Sequence, residues 1–352
     1  MTTAEPIIFD GHNDVLSKIF SEGGVAKAAS FLEGREGAID LKKAEVGGFG
    51  GGLFAVYVPS QFDLEFSYQE MEKASYSLPL PEPIEWSEAV AVVASQVTIL
   101  RELERLGGLT ICRNVSDIRS AFKEGKIAAI FHIEGAEAID PDLHMLEVLH
   151  SAGLRSIGPV WSRPTVFGEG VPFSFPSSPN IGSGLTELGI ALVKRCNELN
   201  IMIDLSHLNE AGFWDVARHS NAPLVATHSN AHSITQHSRN LTDKQLRAIA
   251  DSDGMVGLNF ATAFLREDGK MLADVSLSQM LKHLDYLLEI LGEDRVGFGS
   301  DYDGAVMPEK LTDLSGLPNL RLAMKQYGYD EKIIKKICHE NWLRVLQKTW
   351  GC

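Results

Sequence analysis

Eight short apolar runs punctuate this chain, at residues 6–9, 51–58, 130–135, 154–161, 201–207, 223–229, 254–260 and 296–304. Several are continuous rather than alternating. A strand has that character when both of its faces are buried, as in a parallel sheet. Segments with helical spacing of apolar residues lie between many of them, at 185–199, 210–217, 243–250 and 277–291, and a last one spans 331–349. Eight strand–helix units over this length predict an α/β fold, a (β/α)8 TIM barrel. A doubly wound open sheet is the competing arrangement. It is disfavoured because no glycine-rich phosphate loop opens a helix after any strand.

Two connections break the rhythm. Residues 59–86 are polar and aromatic, with Pro79, Pro81 and Pro83 close together, and read as a loop and helix inserted after strand two. Residues 162–183 are rich in Pro, Gly, Ser and Phe and read as a lid-like loop. Loops of this length are functional or disordered, and here they would stand over the C-terminal mouth of the barrel. Residues 1–352 are expected to form a single barrel domain with these two additions.

Polar residues then fall into place. His12 and Asp14 follow the first strand, in GHND, and with Asp10 they share one face of an extended chain. Glu134 ends strand three, His207 strand five, His228 strand six and Asp301 strand eight. All sit at C-terminal strand ends, where barrel enzymes keep their chemistry. One catalytic zinc takes about three protein ligands, so three imidazoles and two carboxylates are too many for it. They suit two ions about 3.5–4 Å apart if one carboxylate bridges. Asp301, beside the set, is then the natural proton carrier.

Composition excludes other classes. At 352 residues, with 44% hydrophobic and 22% charged residues, the chain reads as a soluble globular enzyme. A net charge of -15 argues against nucleic acid and anionic membrane partners, which require basic surface. Cys112, Cys196, Cys338 and Cys352 show no CxxC spacing, so free thiols in a reducing compartment are expected. The opening MTTAEP has neither a basic nor an apolar signal-peptide region, and no stretch reaches membrane-span length. A cytoplasmic protein acting on a small molecule is the expectation.

GHND, IEG at Glu134, IDLSH at His207, THS at His228, HSRNLTD around Arg239 and GSDYDG around Asp301 occur in an order that resembles the renal or membrane dipeptidase family of metallopeptidases. GLT near Leu185 and an Asn-x-x-Arg from Asn341 to Arg344 extend the resemblance along nearly the whole chain. It implies a (β/α)8 barrel of the amidohydrolase group holding two Zn2+ per chain. It also implies cleavage of dipeptides, L-Xaa-Xaa including L-Xaa-D-Xaa, by a metal-bridging hydroxide. On this resemblance His12 and Asp14 bind one zinc, His207 and His228 the other, and Glu134 bridges. Asp301 is the acid/base, and Arg239 receives the substrate's carboxylate, for which a guanidinium fork is suited. A homodimer is suggested by the family alone.

One position departs from the family. Where its dipeptidases carry a His after strand four, this chain has Trp161, in PVWSRP, and an indole cannot shuttle a proton. Arg163, two residues on, could take over some polarisation of the substrate. An amide or cyclic-amide hydrolase with another substrate is therefore the alternative activity. A barrel acting only in binding is disfavoured by the intact set of five ligands plus Asp301. Trp161, Phe167, Phe173 and Phe175 are expected around the substrate mouth. His132 and Asp10 are expected to support ligands rather than be ligands, and Asp303 to orient Asp301. His232 and His237 are expected as rim histidines. His144, His150, His219, His283 and His339 are assigned no chemistry.

Overall fold

The computed structural model describes residues 5–60 and 64–351. Cys352, most of MTTAEP and three residues of the 59–86 segment lie outside it. Eight parallel strands form the barrel: β1 (Ile8–Asn13), β2 (Phe49–Tyr57), β3 (Ala128–Glu134), β4 (Leu154–Gly158), β5 (Met202–Ile203), β6 (Val225–Ala226), β7 (Met255–Asn259) and β8 (Val296–Gly299). Their spatial order is β5-β4-β3-β2-β1-β8-β7-β6. The two edges meet through a parallel bridge between Asp204 and Val225, with the Leu205 N–H donating to the Val225 carbonyl at 2.8 Å. The longest register, Gly51 opposite Ala128 through Tyr57 opposite Glu134, fixes the β2–β3 seam.

Strand existence follows the apolar runs, but strand limits do not. β1 begins two residues late and continues through Asn13, so His12 lies inside the ladder, while Asp14 stands just beyond it before the helix Val15–Ser21. β5 and β6 are only two residues long because Asp204 and Thr227 turn to bond each other. Helix starts are written locally: the Thr186, Asn209, Ser276 and Asp330 side chains each accept a backbone N–H of the first turn. Thr242 with Gln245 forms a full capping box. The expected helix over 331–349 is interrupted by a π-turn, Lys336–Glu340, before its last segment, Asn341–Trp350.

That last segment plugs the N-terminal end of the barrel. Trp342 is fully buried, clustered with Phe9, Leu53, Ile130, Met202, Val225 and Met255, and donates its indole N–H to the Phe298 carbonyl at 2.9 Å. Gly11, Gly257 and Gly297 make room for the ring, since a Cβ on any of them would collide with it. Asn341 anchors the same turn to the Glu293 and Val296 carbonyls, and Arg344 bonds the Asp253, Gly254 and Asp294 carbonyls.

At the opposite mouth the two long connections find each other. Tyr76–Ser77 and Ser174–Phe175 pair as an antiparallel ribbon, and the Leu78 N–H extends it to the Phe173 carbonyl at 2.9 Å. The segment after β2 also contains a helix, Leu64–Met71, whose Tyr68 hydroxyl donates to the Gly304 carbonyl at 2.9 Å.

Truncating Trp342 to Ala opens a large buried void and should cost about 3–5 kcal/mol, read as a lowered urea midpoint. Leu322→Ala, at a side chain 53% exposed, should stay within about 0.5 kcal/mol of the parent.

Candidate metal centre

The C-terminal strand ends bring six polar side chains to one point. Glu134 Oε1 lies 3.0 Å from His207 Nε2, 3.4 Å from His228 Nε2 and 3.6 Å from His12 Nε2. His12 Nε2 is 3.4 Å from Asp14 Oδ2. Three overlapping groups capable of holding an ion result: Glu134, His207 and His228; beside them His12, Asp14 and Asp301; and, deeper, His12, Asp204 and His228. All but Asp301 are buried, and Asp301 is nearly so.

Neighbouring hydroxyls aim the imidazoles. Thr227 donates its hydroxyl proton to Asp204, at 2.5 Å, and lies 2.8 Å from His228 Nδ1. Its oxygen can then only accept from that ring, so His228 carries its proton on Nδ1 and turns a lone pair on Nε2 toward Glu134. Ser162 Oγ lies 2.8 Å from His207 Nδ1, which leaves His207 Nε2 facing Glu134. His207 and His228 thus face each other with Nε2 atoms 3.1 Å apart. Both nitrogens of His12 lack a hydrogen-bond partner although the ring is fully buried.

Electrostatics alone do not settle this cluster. Burial pushes Glu134 well above the usual carboxylate range, against the pull of His12. Burial, with Arg239 and His12 nearby, holds His207 and His228 well below theirs. His12 is lifted to about 10, because Glu134 and Asp14 together outweigh the burial that opposes its charge. Converging lone pairs, orphaned imidazole nitrogens and carboxylates in one buried spot are the donor set of divalent cations. The residues present fit such ions.

Local backbone serves the same end. His207, Asp301 and Asp303 all adopt left-handed conformations, with φ of 68°, 64° and 69°. Non-glycine residues hold such values only where the surroundings enforce them. Here the Asp301 N–H donates to the His12 carbonyl at 3.0 Å, while the Val171 N–H grips the His207 carbonyl at 2.8 Å. Gly304 is required next, since a Cβ there would strike the Asp14 carboxylate.

A cavity of about 160 Å³ opens beside the cluster, bounded by Asp14, Glu134, His207 and Asp301 on one side and by Tyr57, Trp161, Phe173 and Phe264 on another. Asp301 Oδ2 accepts from Asn259 Nδ2 at 2.9 Å. Burial, and then the nearby Asp14 carboxylate, raise the affinity of Asp301 for a proton.

Residues 2–350 match the membrane dipeptidase family, Peptidase family M19. The chain belongs to the membrane dipeptidase family. It is similar to a metallo peptidase from Rhodobacter sphaeroides crystallised with a phosphinate mimic of the dipeptide L-Ala-D-Ala, at 51% identity and a TM-score of 0.96, covering 98% of this chain and 100% of that one. Dipeptidase AC, a metallo peptidase of the same family, gives the same identity and TM-score with 99% of both chains covered. A Klebsiella pneumoniae protein named only for the region 5' of pqqA is 46% identical over 265 residues, 75% of this chain and 98% of that one. This membrane dipeptidase relative is therefore a metal-dependent hydrolase of the dipeptidase class.

The places expected for Arg163, Phe167, Phe175 and His237 within this dipeptidase fold need correction. Arg163 is fully buried and aims away from the cavity: its guanidinium bonds Glu137 at 2.6 and 2.9 Å, the Ser60 hydroxyl and the Val58 carbonyl. With its fork occupied, Arg163 cannot polarise a substrate. Phe167 is buried in the core rather than at the mouth. Phe175 packs over Gly269, where a Cβ would meet its ring. His237 is not a rim residue; it is buried, accepts the Arg239 N–H at 3.0 Å and lies 4.6 Å from the Phe264 ring. Asp10 bonds the Ser300 N–H and hydroxyl, at 2.6 and 2.7 Å, tying β1 to β8 below the site. Asp303 accepts from the Ala38 N–H and from Arg35, which tethers the Asp301 loop.

Arg239 is 3% exposed, bonds the His228 carbonyl at 3.1 Å and has no partner for its Nε. Burial depresses it to about 10, with Asp301 and Glu134 opposing, so it stays charged at neutral pH. Sequence reading missed Asp204, Thr227, Ser162 and Asn259. Only Asp204, a carboxylate inside an apolar run, gave a signal.

Glu137→Ala would strand the buried Arg163 charge and should cost about 3–5 kcal/mol, checked by chemical denaturation.

Proposed function

We propose that this enzyme hydrolyses dipeptides, L-Xaa-Xaa including L-Xaa-D-Xaa, using two zinc ions. The observation that carries the reading is Glu134 Oε1 lying within 3.0–3.6 Å of three histidine Nε2 atoms from three different strand ends. In this reading His12 and Asp14 hold one ion, His207 and His228 the other, and Glu134 reaches both. Ions so held would acidify a water and polarise the scissile carbonyl.

The remaining steps fall to the chain's own side chains. Asp301, oriented by Asn259, takes the proton from the attacking water and returns it to the leaving amine as the C–N bond breaks. Arg239 receives the substrate's free carboxylate, which confines the enzyme to substrates ending one residue past the scissile bond. Support for the substrate class comes from the Rhodobacter relative, which binds a mimic of L-Ala-D-Ala. The aromatic wall gives the cavity a largely apolar lining, and a less polar surrounding strengthens each of these interactions.

Protein prepared without chelator should carry two zinc per chain by elemental analysis. Stripping them should abolish dipeptide hydrolysis, and zinc should restore it; a stoichiometry of one or none would refute the shared carboxylate. Asp301→Asn should keep its metal while kcat falls about 10²–10⁴-fold, and an active variant would remove Asp301 from proton transfer.

A further inference from the structure

Three aromatic rings run in contact from Arg239 to the metal centre. The Arg239 guanidinium lies 5.4 Å from the Phe264 ring. Phe264 stacks on Phe173, with centroids 6.2 Å apart and planes at 11°. Phe173 meets Trp161 edge-on at 5.6 Å, and Trp161 lies 5.7 Å from the His207 ring. All three rings face the cavity.

This wall has a direction. If the substrate carboxylate sits at Arg239 and its carbonyl at the His207 end, the Cα of the C-terminal residue lies between them. Its side chain then meets Phe264, Phe173 and Trp161. The cavity's other apolar surface, Tyr68, Met71 and Leu78, belongs to the inserted segment, and Tyr68 is bonded to Gly304 beside Asp301 and Asp14. That side is left for the N-terminal residue.

Trp161 cannot yield. Its ring is backed by Tyr57 at 5.1 Å and by the Arg163 guanidinium at 5.6 Å. Arg163 is itself fixed by Glu137 and the Val58 carbonyl. A packed ring held by a buried ion pair acts as a hard stop, because close-packed interiors do not deform cheaply.

We infer that Phe264, Phe173 and Trp161 form the subsite for the side chain of the substrate's C-terminal residue, and that Trp161 sets its upper size limit. The inference rests on the proposed seat of the carboxylate at Arg239. Trp161 is a specificity-determining residue.

The test uses the zinc-loaded full chain and two dipeptide series. One fixes L-Ala first and varies the C-terminal residue through Gly, D-Ala, D-Leu and D-Phe; the other fixes D-Ala last and varies the N-terminal residue through Gly, L-Ala, L-Leu and L-Phe. In Trp161→Ala, kcat/KM for L-Ala-D-Phe relative to L-Ala-D-Ala should rise at least about tenfold, mainly through KM. The ratio of L-Phe-D-Ala to L-Ala-D-Ala should not move. Trp161→Phe, a milder change that keeps an aromatic ring against Tyr57 and Arg163, should give an intermediate rise. Ratios within one variant cancel any general loss of activity. No rise in the first series, or an equal or larger one in the second, overturns the assignment. Hydrolysis of L-Ala-D-Ala amide by the parent, at a rate near that of the free dipeptide, would instead sink the Arg239 reading beneath it.

Discussion

Glu134 is the constraint on which the rest of the structure depends. Its Oε1 is buried 3.0–3.6 Å from the Nε2 atoms of three imidazoles, and burial disfavours the charged form of two of them, His207 and His228. Burying such a set uncompensated is strongly unfavourable. The arrangement persists because two of the three rings are held from behind: Ser162 and Thr227 fix His207 and His228, and Asp204 fixes Thr227. A cluster built this way is committed to cations before any substrate arrives.

That commitment explains why the barrel is irregular where a barrel is usually most regular. β5 and β6 give up their ladders after two residues so that Asp204 and Thr227 can serve the histidines. His207, Asp301 and Asp303 adopt left-handed backbone at the strand ends, where each costs about 1–3 kcal/mol in the absence of compensating contacts. Stability is supplied at the other end of the barrel by the Trp342 plug, whose indole bonds the Phe298 carbonyl. Fold and site are separated along the barrel axis, as the division of labour in this architecture leads one to expect.

The sequence made the barrel legible because continuous apolar runs are a local property. It made the metal residues legible because they follow those runs directly. His12, Glu134, His207, His228 and Asp301 could be grouped once the strands were placed. What could not be read is whatever depends on side chains meeting across the chain. The Arg163–Glu137 pair joins residues 26 apart and makes a promising polar residue unavailable to the substrate. The ribbon between residues 76–77 and 174–175 joins two loops whose composition announces only that they are long. Strand ends at Asp204 and Thr227 were misjudged because a hydroxyl–carboxylate bond overrides the local β pattern.

The same distinction bears on Trp161. Read along the chain against the pattern the resemblance implies, it is expected to be a loss, an indole where an imidazole would carry a proton. Read in space, it completes an aromatic wall that needs neither charge nor proton to act, only rigidity. Its immobility comes from Arg163, the residue expected to polarise the substrate, now bound to Glu137 three positions beyond the metal-bridging candidate Glu134. The end of β3 and the turn after it therefore contribute twice: Glu134 is turned into the cavity toward the imidazoles, and Glu137, three residues past the strand end, is turned away to brace the wall. A hard apolar surface of this kind discriminates by volume, where a hydrogen bond discriminates by chemistry.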